Sequence, residues 1–166
     1  MRERKLGYTC VEPVSCEEGE AVSSSRIRQT LSGGNVAAAA ELMGRPLMLE
    51  GRVGHGDKRG RELGFPTANL PMHGLYLPAF GVYAVRAHIG KRILDGIANL
   101  GIRPTFGGER PQLEVHLFDV DEQLYGKQLD VELLYYLRPE QAFKSKEMLV
   151  DQIGRDMINA KQKLMG

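Results

Sequence analysis

The sequence predicts a mainly β fold: a small six-stranded antiparallel barrel, preceded by a short helical segment and followed by one long helix. Three observations carry that reading. Six short runs, most rich in β-branched or aromatic residues, follow one another between residues 47 and 138, bounded by Gly, Pro or charged turns. Gly81–Ala87 and Leu113–Leu117 alternate apolar and polar positions, as half-buried antiparallel strands do. No helical period interrupts the six runs, and an open sheet of such short strands would expose two edges that closure removes.

The elements follow in order. Residues 1–22 are ambiguous, with one short strand expected around Leu6–Val14. Ser23-Ser24-Ser25 offers an N-cap for a helix over Arg26–Leu31, and Gly33-Gly34 punctuates. An alanine-rich helix over Val36–Met43 ends at Gly44. The strands are expected at Leu47–Val53, Phe65–Leu70, Gly81–Ile89, Ile93–Leu100, Leu113–Val120 and Leu129–Arg138, with Gly90-Lys91 as a tight hairpin. The period then changes. Ser145 caps a helix to about Leu164, with Glu147 in the first turn and Lys161 and Lys163 in the last, matching the helix dipole. Met148, Leu149, Ile153, Met157, Ile158 and Leu164 form the stripe expected to pack on the barrel exterior.

Composition removes several classes. The 166 residues suffice for one ordinary domain, or one domain and a fragment of another. With 22 Lys and Arg against 21 Asp and Glu, the surface is not built mainly to hold nucleic acid or anionic membrane. The longest uncharged stretch, Leu63–Val85, is broken by Pro66, Pro71 and Pro78, which excludes a membrane-spanning helix. Cys10 and Cys16 have neither a disulfide-framework nor a metal-knuckle spacing, and the start lacks the apolar run of a secretory signal. A cytoplasmic location with reduced thiols follows as the expectation.

Chemistry concentrates in residues 54–70. Gly54, Gly56, Gly60 and Gly64 allow close backbone approach to a ligand, while Lys58, Arg59 and Arg61 bring positive charge to the same loop. That combination suits a polyphosphate, although a plain charged hairpin has the same composition. Thr67 and Asn69, two apart on a strand, present a hydroxyl and an amide oxygen on one face. Such neutral hard oxygens suit Mg²⁺ that also holds phosphates; an ordinary strand start with an Asx turn is the alternative. Glu114 lies in an otherwise apolar strand with His116 on its face, as either a general base or a solvent-facing glutamate. The four histidines show no zinc-ligand spacing.

Six segments carry a resemblance: Gly-Phe-Pro-Thr-Ala-Asn (64–69), Gly-Val-Tyr-Ala (81–84), Ala-Asn-Leu-Gly-Ile-Arg-Pro-Thr-Phe (98–106), Glu-Val-His-Leu-Phe-Asp (114–119), Leu-Tyr-Gly (124–126) and Leu-Arg-Pro-Glu (137–140). From about Arg45 onward the chain resembles the riboflavin kinase module of bacterial bifunctional riboflavin kinase/FMN adenylyltransferases. The resemblance implies a Greek-key barrel and transfer of phosphate from MgATP to riboflavin, giving FMN and ADP. It also implies roles. Thr67 and Asn69 would ligate Mg²⁺, and Glu114 would be the catalytic base. Gly56 and Arg61 would lie on the ATP phosphates, with Thr67, Leu117, Asp119 and Tyr125 near the nucleotide. Arg138, Gln141 and Phe143 would contact the flavin, an aromatic face being suited to its ring system. Asn99, Arg103 and Thr105 belong to a matching segment whose role is assigned only loosely.

Val22–Arg28, with Leu31, Gly33 and Ala38–Gly44, resembles the end of the adenylyltransferase module. Residues 1–44 are therefore expected to be a remnant of that domain and 45–166 the kinase, making the chain a C-terminal fragment of the bifunctional enzyme, unable to adenylylate FMN, with the parent enzyme's adenylyltransferase domain as its expected partner in cis. Two rivals stand beside this reading. A non-catalytic flavin or nucleotide carrier would need no base. A barrel for single-stranded nucleic acid would need a basic and aromatic stripe that the near-neutral chain lacks.

Overall fold

A computed structural model describes Ser15 and residues 21–56, 59–105, 108–120 and 122–166, apart from the side chains of 59, 104, 105, 108 and 109. The strand expected around Leu6–Val14, both cysteines, and Lys58 lie outside the described residues. Six strands, β1 (Leu47–Arg52), β2 (Ala68–Pro71), β3 (Gly81–Ile89), β4 (Arg92–Thr105), β5 (Gly108–Leu117) and β6 (Gln128–Arg138), form one antiparallel sheet in the order β1-β6-β3-β4-β5-β2. The sheet curls until its edges meet, where the Gly54 N–H donates to the Asn69 carbonyl at 2.9 Å and Leu70 packs over Gly51.

Strand alternation sorts the side chains into two apolar layers. Leu49, Leu70, Tyr83, Val85, Leu100, Leu113, Val115, Leu129, Val131 and Leu133 fill the interior. Ala84, Ile97 and Phe118 face outward and are covered by the helix α4 (Lys146–Met165) through Ile153, Met157, Ala160 and Leu164. β3 is buried on both faces over its first five residues, so the half-buried alternation expected for Gly81–Ala87 is not realised there.

The N-terminal helices α1 (Ser24–Ser32) and α2 (Val36–Met43) are capped as their sequences dictate. Ser23 Oγ accepts from the Arg26 N–H, Asn35 Oδ1 accepts from the Ala38 N–H, and Gly44 ends α2 at a φ of 69° that favours glycine. Leu31, Val36 and Ala39 join the same apolar cluster as the barrel interior, and the Ala79 N–H donates to the Leu31 carbonyl at 2.9 Å.

Several boundaries differ from the sequence expectation, each for a local reason. β2 begins at Ala68 rather than Phe65, because Pro66 has no N–H to pair and the Phe65 N–H closes the turn of a short helix, α3 (Arg59–Glu62), on the Gly60 carbonyl. β4 does not stop at Leu100 but runs to Thr105. Beyond Leu100 it pairs with β5 alone, and Pro104 is tolerated at such an edge. β5 ends at Leu117 instead of Val120, because Asp119 turns the chain at a φ of 57°. On α4, Met148 and Ile158 are exposed, at 52% and 61%, so the buried stripe loses two expected members and gains Ala160 and Asp156.

Candidate active site

The ladder registers place five residues in one row across the outer face of the sheet. Asn69 on β2 lies opposite Glu114 on β5, Glu114 opposite Asn99 on β4, Asn99 opposite Val82 on β3, and Val82 opposite Arg138 on β6. All five line a cavity of about 470 Å³ that is also bordered by Phe65, Phe143 and the N-terminal half of α4. Its volume is that of a small-molecule site. Thr67 and Asn69 line this cavity and also a second, smaller one of about 70 Å³, bordered by Arg61, Leu117, Glu122 and Tyr125. The start of β2 is thus a wall shared by two clefts.

Asn69 is 7% exposed and held firmly. Its Oδ1 accepts from Gln112 Nε2 at 2.9 Å, and its Nδ2 donates to the Thr67 carbonyl at 3.3 Å. A Cβ at Gly56 would overlap this amide, so glycine is what lets the loop cross close to it. His116 reaches the Pro66 carbonyl through Nδ1 at 2.9 Å and meets Phe65 edge to face, bracing the segment before β2.

Charge is arranged in three groups. Arg103 Nε donates to Glu114 Oε1 at 2.9 Å, and its NH1 lies 3.6 Å from Glu140 Oε1, which also accepts from Asn99 Nδ2 at 3.1 Å. Arg138 donates to both oxygens of Asp156, at 2.8 to 3.1 Å, and its guanidinium carbon lies 5.8 Å from the Phe143 ring centroid. Beside the smaller cleft, Lys127 and then Arg92 hold the Glu122 carboxyl below the usual carboxylate range.

Thr67, Asn69 and Glu114 are brought together, with Arg138, Gln141 and Phe143 on the larger cavity. Arg61, Thr67, Leu117 and Tyr125 border the smaller one, where Tyr125 stacks on His55 at 4.7 Å. Gly56 lies against the Asn69 side chain, and Asp119 lies exposed just beyond the end of β5; neither lines either cleft. Sequence reasoning missed Asp156, Glu140, Gln112 and Glu122. Asp156 had a signal, since an acid three residues after Ile153 on an apolar stripe needs a buried cation. Glu140 stood in a matching motif without a role. Gln112 carried no signal.

Oxygens of Thr67 and Asn69 are a donor set for a hard cation that keeps waters and shares phosphate oxygens. The described residues contain no group of three or more His, Cys, Asp or Glu fit to hold a metal by themselves. Nor does any helix among them have the length and apolarity to cross a membrane.

Comparison with known proteins identifies the family. The family described as Flavokinase: Riboflavin kinase matches residues 43–164. A bifunctional riboflavin kinase/FMN adenylyltransferase of Escherichia coli K12 is 47% identical over 89% of this chain and 47% of its own length. The protein of that name from Bacillus subtilis is 41% identical over 94% of this chain and 50% of its own. A crystal structure described as a macrolide-efflux protein from Streptococcus pneumoniae superposes with a TM-score of 0.80 at 42% identity, covering 88% of this chain and 48% of that one. The chain spans about half the length of the relatives it matches. With a family match over residues 43–164 and this level of identity, the chain belongs to the riboflavin kinase family.

Proposed function

We propose that this chain transfers the γ-phosphoryl group of ATP to the ribityl 5′-hydroxyl of riboflavin, giving FMN and ADP. The observation that carries the reading is that Asn69, on a wall shared by two clefts, lies opposite Glu114, which lines the larger one. Riboflavin would occupy the larger cavity, its ring beside Phe143 and its ribityl chain directed along the row toward Glu114. The nucleotide would enter past Arg61, Leu117 and Tyr125, and its size requires those side chains to part. Gly56 would admit its phosphates close to the backbone, while Asp119 would act only from the rim.

The hydroxyl oxygen bonds to the γ-phosphorus as the bond from that phosphorus to the β,γ-bridging oxygen breaks, and Glu114 takes the hydroxyl proton. Thr67 and Asn69 would hold Mg²⁺, which when bound offsets charge on the phosphates. Arg103, hydrogen-bonded to Glu114, keeps the carboxylate aimed along the row. Incubation with riboflavin, ATP and Mg²⁺ followed by chromatography of the flavins tests the proposal. FMN is the expected product; binding of both substrates without FMN would make the chain a carrier.

We further infer that residues 1–44 derive from an adenylyltransferase domain and 45–166 form the kinase. The relatives are named for both activities, and the family match begins at residue 43. FAD formed from FMN and ATP by this chain alone would overturn that division.

A further inference from the structure

Asn99, Gly101 and Arg103 alternate along β4 and so share the outer face. Glu140 lies over that face. Its Oε1 accepts from Asn99 Nδ2 at 3.1 Å and sits 3.6 Å from Arg103 NH1, while a Cβ at Gly101 would overlap its carboxylate. The three residues therefore make a fitted cradle: an amide and a guanidinium at the ends, and a missing side chain between them.

Glu140 is the second residue of the irregular segment 139–145 that carries Gln141 and Phe143 to the larger cavity. Among the described residues, no backbone hydrogen bond ties 139–144 to the barrel. Side-chain contacts must then set where the segment stands, and they come from Glu140 and from Arg138 beneath Phe143. Arg103 also holds Glu114, so one guanidinium joins the flavin-side segment to the residue proposed as base.

We propose that Glu140 is a positioning residue for the flavin, latching 139–145 into the cradle of Asn99, Gly101 and Arg103. The purpose of the latch rests on the riboflavin kinase reading above; its existence does not. Glu140→Ala removes the carboxylate, and Gly101→Ala displaces it from the cradle without removing a charge. Each should raise the riboflavin Kd roughly three- to tenfold, the range of one or two partly exposed hydrogen bonds, with the KM for MgATP unchanged. Because both changes undo the same contact, the double variant should be no weaker than the worse single one. Glu140→Gln keeps an acceptor for Asn99 and should recover part of the loss.

Riboflavin fluorescence quenching measures Kd, and limited proteolysis with trypsin after Lys144 reports on the segment without ligand. Cleavage there should quicken several-fold in Glu140→Ala. Unchanged cleavage, multiplicative losses in the double variant, or equal rises in both substrate constants would each overturn the latch. A wild-type chain that neither binds nor phosphorylates riboflavin overturns the functional reading instead, and the cleavage measurement still decides the latch.

Discussion

Asp156 on α4, only 4% exposed, accepts hydrogen bonds from Nε and Nη2 of Arg138 and a further one from Gln152 at 2.9 Å. Arg138 in turn ends the row of residues that begins at Asn69. The helix is thereby fastened to the site by an ion pair as well as by its apolar stripe.

Breaking that pair should be costly. Asp156→Ala leaves a guanidinium whose side chain is 17% exposed without its counter-charge, and such losses cost about 3–5 kcal/mol. Urea denaturation should show this as a lower midpoint at unchanged slope. A loss below about 1 kcal/mol would mean that Arg138 finds water or another partner.

Glu114→Gln should nearly abolish turnover while riboflavin still binds. The amide keeps the shape and accepts from Arg103, but it cannot take the hydroxyl proton. General-base catalysis is worth about 10²–10⁴-fold, and kcat should fall by that factor. Retention of more than roughly a tenth of the wild-type kcat would remove Glu114 from the chemistry.

Asn69→Ala should weaken MgATP binding, measured calorimetrically, because it deletes one of two proposed metal oxygens. Gly56→Ala reaches the same amide from outside, since its Cβ must displace Asn69. Both variants should lose MgATP affinity. Neither should change riboflavin affinity by more than about twofold, well inside the tenfold that 1.4 kcal/mol represents. Normal MgATP affinity in both would sink the metal assignment.

Alkaline stability should carry the signature of Tyr83. Burial, with a smaller contribution from Tyr136, pushes its phenol above the ordinary range, and its hydroxyl donates to the Ala79 carbonyl. A group with a raised folded pKa stabilises fully below its unfolded value, near 10, and that stability is lost as pH rises toward the folded value. Thermal melts of the wild type should therefore decline above about pH 10 more steeply than those of Tyr83→Phe. Parallel declines would show that other groups govern the transition.

How far the sequence could be read depended on range. Caps were legible because Ser23 and Ser145 bond to atoms three residues away, whereas the Asn35 cap drew no notice in the sequence. The hairpin of β3 and β4 was legible for a similar reason, its Gly90-Lys91 turn lying between two adjacent strand runs. What could not be read were pairings that only the closed sheet creates. Pro104 looks like a strand end until β5 is seen to be its only neighbour strand there. Asp156 looks like a blemish on a stripe until Arg138 arrives beneath it. Thr67, Asn69 and Glu114 were singled out by residue type, but the second cleft behind β2 was visible only in three dimensions.

The order of the strands has a consequence for the chain as it is synthesised. β1 emerges first, yet its ladder partner is β6, whose residues 128–138 follow some eighty positions later. Until then Leu47 and Leu49 sit on a strand with an open edge, the condition that invites pairing with other chains. The β3–β4–β5 meander can assemble meanwhile, since its pairings are local. β6 must then insert between β1 and β3, completing the sheet and delivering Arg138 in the same movement. A nascent chain stalled before residue 138 would hold Glu114 and Asn69 in register and still lack a place for the flavin, so competence to bind arrives with closure and not gradually.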